Sequence, residues 1–185
     1  MSTISCHESS YPVMVDMYQQ FLTLLDQYHK EHSRIFPVRF DLHYPQEISG
    51  NRSNTDISNC MFKINQYFKR KGSDPVYAWV REESENSDNP HYHCILLLNG
   101  QKKRNINEVY DVAKRLWCST IQSDSSGLLD KCNKRGLNGI MINRSDEEHQ
   151  KQVDNVVRQL SYMSKPLHKS EHNDGHRNYG MSRIH

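Results

Sequence analysis

Apolar residues recur at three- and four-residue steps from Met14 through Met17, Tyr18, Phe21, Leu25 and Tyr28. This is the stripe of an amphipathic helix over about Ser10–His32, with Ser9 or Ser10 as its cap and Pro12 in its first turn. The period then changes. In RIFPVRFDLHY, Arg34 to Tyr44, the residues Phe36, Val38, Phe40 and Leu42 alternate with Arg39, Asp41 and His43. That alternation predicts a strand with one buried face and one polar face, and an active-site floor is one use for such a polar face. A second helical stripe, Ile57, Cys60, Met61, Ile64 and Phe68, runs over about Asp56–Lys71 and stops at Gly72.

VYAWVREES, Val76 to Ser84, and HYHCILLL, His91 to Leu98, read as two strands joined by the polar link Glu85–Asn89. The apolar run Ile95–Leu98 marks the second of these as buried. Val109, Tyr110, Ala113, Leu116, Trp117 and Ile121 predict a third helix over about Asn107–Ser123. Residues 124–136 read as a basic loop, and Leu137–Asn143 as a short edge strand. Ser145 and Glu148 match a capping box for a fourth helix, whose stripe is Val153, Val156, Val157 and Leu160. Beyond Pro166 the chain is polar and rich in His and Asn.

The order is a helix followed by β-α-β-β-α-β-α. It suits an α+β fold: an antiparallel sheet with helices packed on one face, of the ferredoxin-like or RRM-like kind. Residues 1–33 form an N-terminal helical extension and residues 34–185 the main body of a single domain.

Composition narrows the function classes only a little. The net charge of +2 is too small to argue for nucleic acid by itself, although Lys69–Lys71, Lys102–Arg104 and the group Lys131, Lys134, Arg135 are locally basic. Five cysteines without C-x-x-C spacing argue against a disulfide framework. Cys60 and Cys94 fall inside apolar patterns and are expected in the core. No stretch has the length and apolarity of a membrane span, and no export signal is evident, so a cytoplasmic protein without a membrane partner is expected.

The chemistry concentrates at PHYHCILLLN. His91 and His93, at i and i+2 on a strand, project from the same face. Pairing with the preceding strand brings Glu82 or Glu83 beside them, and alternation allows only one of the two on that face. Two imidazoles and one carboxylate can hold a divalent ion with positions left for substrate. On the fourth helix, Arg158, Tyr162 and Lys165 share a side that is turned away from the apolar stripe. A tyrosine flanked by cations suits work near phosphate, and a phenol needs activation to act as a nucleophile.

A carboxylate strand, an H-x-H strand and a helical Y-x-x-K, in this order, resemble the HUH endonucleases that initiate rolling-circle replication. More closely, VRFDLHYP, YAWVREES, PHYHCILLLNG, YMSKP and RNYGMSR resemble phage and prophage replication proteins of the inovirus type, related to the YagK/YfjJ C-terminal domain family. The resemblance implies HUH architecture and Mg²⁺ or Mn²⁺ held by His91, His93 and Glu82. It implies Tyr162 as nucleophile forming a 5′-phosphotyrosyl link, with Lys165 steadying the phosphate. Arg39 and Asp41 would support the site, and Arg158 and Arg183 would offer phosphate contacts. The implied partners are single-stranded or hairpin origin DNA and a host helicase or polymerase. Three other readings compete: a non-cleaving DNA-binding regulator, a structural zinc protein, and a relaxase or transposase with the same chemistry.

Overall fold

The computed structural model describes residues 13–47, 53–84, 87–133, 136–166 and 177–183. In chain order the elements are α1 (Val15–Glu31), β1 (Arg34–Leu42), α2 (Thr55–Arg70), β2 (Val76–Ser84), β3 (Ser87–Asn99), α3 (Ile106–Ile121), β4 (Leu129–Asp130), β5 (Ile142–Asn143), α4 (His149–Met163) and β6 (Tyr179–Met181). The strands form one open antiparallel sheet in the order β4-β1-β3-β2-β6, with β5 also paired to β1. The α+β class and the central β2–β3 hairpin agree with the sequence patterns. Among the described residues, no helix is long and apolar enough to cross a membrane.

The expectation that helices pack on one face is overturned. α2 and α3 cover the face formed by Phe36, Val38, Phe40, Leu42, Tyr92, Cys94, Leu96 and Leu98. α1 and α4 cover the other, burying Ile35, Val76, Ala78, Val80, Ile95 and Leu97. The cause is visible in β3. An uninterrupted run from Ile95 to Leu98 puts apolar side chains on both sides of the pleat, and each side needs a helical layer to take it out of water. The N-terminal helix is therefore half of one layer. α1 carries Phe21 and Leu25, both 0% exposed, into a core shared with α4.

Local signals misplaced several boundaries. α1 begins at Val15, not near Ser10, and Ser9, Ser10 and Pro12 lie outside the described residues. Met14 holds the N-cap position, and its amide donates to the Ser164 carbonyl at 2.8 Å, tying the helix entry to the end of α4. The Ser145–Glu148 capping box does not form. Ser145 sits in a turn against Asn143 Oδ1, α4 starts at His149, and Asp146 Oδ1 accepts from the Glu148 amide at 3.0 Å.

Of the expected edge strand Leu137–Asn143, only Ile142–Asn143 pairs with β1. The segment read as a loop supplies β4, and the polar tail supplies β6. Between β4 and β5 an asparagine side chain stands in for strand backbone. Asn138 Oδ1 accepts from the Arg39 amide (2.8 Å) and its Nδ2 donates to the Arg39 carbonyl (2.5 Å). Both outward hydrogen-bonding groups of Arg39 are thus satisfied where neither β4 nor β5 reaches.

Candidate functional site

On the face covered by α1 and α4, every central strand changes from apolar to polar toward the same end. Along β2 the residues are Val76, Ala78, Val80 and then Glu82. Along β3 they are Leu97, Ile95 and then His93 and His91. Along β1, Ile35 and Pro37 give way to Arg39 and Asp41, and His43 follows the strand end. The registers bring these ends together. Asp41 pairs with His93 across β1–β3, His93 with Val80 and His91 with Glu82 across β2–β3. Beyond Glu82 the β2–β3 register shifts, in the part of β3 that contains Pro90, whose ring nitrogen has no hydrogen to donate.

The result is a compact polar nest at the edge of the core. His93, 7% exposed at its side chain, has a carboxylate on each ring nitrogen: Asp41 Oδ1 is 2.8 Å from Nδ1 and Glu82 Oε2 is 2.5 Å from Nε2. His91 Nε2 lies 3.7 Å from the same Glu82 oxygen. One ligand atom from each of Glu82, His91 and His93 lies within 4.8 Å of the others. The Arg39 guanidinium reaches toward both Asp41 (3.5 Å) and His93 Nδ1 (3.4 Å).

These neighbours set the protonation states. Burial alone would lower the pKa of His93, but hydrogen bonds to Asp41 and Glu82 outweigh it and raise the value above the ordinary one. Burial would likewise raise Asp41. The hydrogen bond and charge of His93, with the Arg39 guanidinium, bring it down instead, to about 2. His91 is lowered to about 4, first by burial and then by the neighbouring positive His93. The nest therefore holds one imidazole that is readily neutral and one clamped between two acids.

Glu82 and Glu83 part company as alternation requires. Glu82 joins the histidines. Glu83 lies on the opposite side of the strand and pairs with the buried Arg81 guanidinium at 2.8 Å.

α4 delivers the phenol. Its stripe of Val153, Val156, Val157 and Leu160 packs on the sheet and leaves Tyr162 43% exposed. The Tyr162 ring meets the His93 ring edge-on, with centroids 6.1 Å apart. The Arg39 guanidinium lies 4.7 Å and the Lys165 ammonium 4.6 Å from the centre of the Tyr162 ring. Arg158, one turn earlier on α4, lines an open cavity of about 380 Å³ with Arg39, Asp41, Asn155, Gln159 and Tyr162. The structure thus brings together His91, His93, Glu82, Arg39, Asp41, Tyr162, Lys165 and Arg158.

It does not bring Arg183. β6 runs antiparallel to β2, with Tyr179 opposite Val80 and Met181 opposite Ala78. Arg183 is therefore carried toward the Val76 end, away from Glu82, and is exposed there. The expectation of an Arg183 phosphate contact at this site is corrected by that register.

Sequence reasoning placed His43 on the polar face of β1 without a specific role, and it singled out neither Asn138 nor the cavity residues Asn155 and Gln159. His43 stacks on His91 with centroids 5.4 Å and planes 17° apart, and burial lowers its pKa. The signal was present, since His43 continues the alternation of Arg39 and Asp41. Asn138 carried no signal, because its partner lies 99 positions away. Glu31, His32 and Asp74 also bring ligand atoms together, at the far end of the sheet and largely in solvent.

A family model for the YagK/YfjJ C-terminal domain matches residues 4–182. The chain belongs to the YagK/YfjJ C-terminal domain family. No curated protein and no solved structure matches it. The matched span of this YagK/YfjJ domain includes α1, so the N-terminal helix is part of the family's unit as well as of this core. The span also takes in the whole nest, from Arg39 to Lys165, and ends one residue before Arg183.

Proposed function

We propose that this YagK/YfjJ domain is a metal-dependent nickase of single-stranded DNA of the HUH type, initiating rolling-circle replication of a phage, prophage or plasmid-like element. The observation that carries the reading is the position of Tyr162. An exposed phenol from α4 stands over His93, beside two imidazoles and a carboxylate whose ligand atoms converge.

The donor set fits a divalent ion, Mg²⁺ or Mn²⁺. His91 Nε2, His93 Nε2 and Glu82 Oε2 would hold it. Asp41 on His93 Nδ1 fixes that ring's orientation and the tautomer with Nε2 free, a carboxylate–histidine–metal arrangement. When bound, the ion supplies Lewis-acid polarisation of the scissile phosphate and charge stabilisation at the leaving oxygen.

The remaining steps belong to the chain. A DNA strand lies in the open cavity beside α4, with its phosphate drawn by Arg39, Arg158 and Lys165. Tyr162 Oη attacks phosphorus, a bond from Oη to phosphorus forms and the bond to the 3′-oxygen breaks. The phenolic proton passes to solvent and the departing 3′-oxygen takes one up. The products are a 5′-phosphotyrosyl link and a free 3′-hydroxyl, which a host polymerase can extend.

The test is incubation with Mn²⁺ and single-stranded DNA from the origin of the replicon that encodes the protein. A covalent protein–DNA adduct is expected, absent without metal and absent in Tyr162→Phe. An adduct that persists in Tyr162→Phe removes Tyr162 from the mechanism. DNA binding without any adduct, unaffected by loss of His91 and His93, favours the regulator reading instead.

A further inference from the structure

A second surface, remote from the nest, has its own chemistry. On the outside of the α2/α3 layer a groove of about 460 Å³ runs between the two helices. Its charged lining residues are Lys63, Arg70, Lys71 and Arg115, and no carboxylate lines it. In a chain whose net charge is only +2, four cations without an acid form a local field and do not reflect general basicity. The C-terminal dipole of α2 accounts for Arg70 and Lys71 but not for Lys63 or Arg115, each a turn or more inside its helix.

Aromatic rings are set among these charges. Phe62 is 59% exposed, although it belongs to the helix that carries Met61 and Ile64 into the core. Tyr67 has the Lys71 ammonium 5.6 Å and the Arg115 guanidinium 5.9 Å from its ring centre. Among the described residues, no ion pair engages Lys63, Arg70, Lys71 or Arg115. Lys63 donates to the Thr120 hydroxyl, at 3.3 Å.

An exposed aromatic face beside unpaired cations, arranged along a groove, matches what a single-stranded nucleic acid offers: phosphates for the cations and base faces for the ring. A duplex would hide its base faces, and an acidic polypeptide would leave Phe62 without a partner. We infer that the α2/α3 groove is a second binding site for single-stranded nucleic acid, on the opposite side of the sheet from the metal nest. The inference does not depend on cleavage by Tyr162. The groove would hold a strand whether or not the nest cuts one.

The test uses the full chain in EDTA with a fluorescein-labelled oligothymidylate, so that no nicking intervenes. Arg70→Glu combined with Arg115→Glu should weaken binding at least tenfold and flatten the slope of log affinity against log salt by about 1.4, two phosphate contacts at about 0.7 each. Arg70→Lys with Arg115→Lys should keep most of the affinity. Phe62→Ala should cost about fivefold or more. A bromodeoxyuridine strand should photocrosslink to α2 at Phe62 or Tyr67.

Affinity and salt slope unchanged in a folded Glu double variant overturn the site, as does a crosslink map confined to the nest. So does binding of a poly-glutamate probe in the groove with no binding of oligothymidylate. Failure of the nicking reading looks different: no adduct with Mn²⁺, while the groove variants still lose oligothymidylate.

Discussion

Asp41 stands directly across the β1–β3 ladder from His93, with its carboxylate oxygen 2.8 Å from Nδ1. Because the pairing is a strand register, its geometry is backed by the whole sheet and not by one flexible loop. In the proposed metal site Asp41 is a positioning residue that would act through His93. Asp41→Asn should therefore weaken Mn²⁺ affinity by about 10–100-fold while leaving the far-ultraviolet circular dichroism unchanged. Calorimetric titration of metal into the apo protein decides it, and wild-type affinity in Asp41→Asn would mean that the contact orients nothing.

Glu82 and Glu83 adjoin in sequence yet serve opposite faces. Glu82→Gln should abolish metal binding and should also cost some stability in the metal-free protein, because buried His93 loses one of its two carboxylate partners. Glu83→Gln should bind metal normally but lose about 1.5–3 kcal/mol in urea denaturation, because the Arg81 guanidinium, 4% exposed, loses a charged partner. The reverse pattern would exchange their roles.

Tyr162 is 43% exposed, and Tyr162→Phe keeps the ring that meets His93, Arg39 and Lys165. Tyr162→Phe should change stability by less than about 0.5 kcal/mol. A larger loss would show that the phenol is part of the scaffold.

His29, on the α1/α4 contact, lies 2.9 Å from His149, nitrogen to nitrogen. Its pKa is lowered, chiefly by burial and then by the charges of Arg144 and His149, with Asp26 opposing. With the folded value depressed, the unfolded chain takes up this proton first as pH falls. The contribution is fully present above the ordinary histidine value of about 6.5 and is lost as pH drops below it. Melting in EDTA should show wild type losing more stability between pH 7.5 and 5.5 than His29→Gln does. Equal losses would remove His29 from the pH dependence.

Gly180 lies where an added Cβ would come 2.5 Å from the Trp79 indole. Trp79 is 4% exposed and cannot retreat without disturbing the core. Gly180→Ala should cost about 1–3 kcal/mol and raise amide exchange at Tyr179–Met181. Unchanged exchange would mean that β6 tolerates the shift.

Much of this was legible along the chain. The side shared by His91 and His93, the exclusive choice between Glu82 and Glu83, and the turning of Tyr162 away from the α4 stripe follow from the two- and 3.6-residue periods, which belong to the backbone itself. The apolar run Ile95–Leu98 already required cover on both faces of the sheet, although the element order suggested one. What no local period contains is register and docking. That Asp41 meets His93, that Asn138 completes the backbone of Arg39, that β4 and β6 pair at all, and that Arg183 ends far from Glu82 depend on contacts between distant segments. Strands of two or three residues carry too few positions to show a pattern, and they exist only because a neighbouring edge offers unpaired amides and carbonyls. The sequence therefore determined which side chains share a face. The tertiary structure decided which faces meet, because burial of two cores selects one register among several that the local patterns allow.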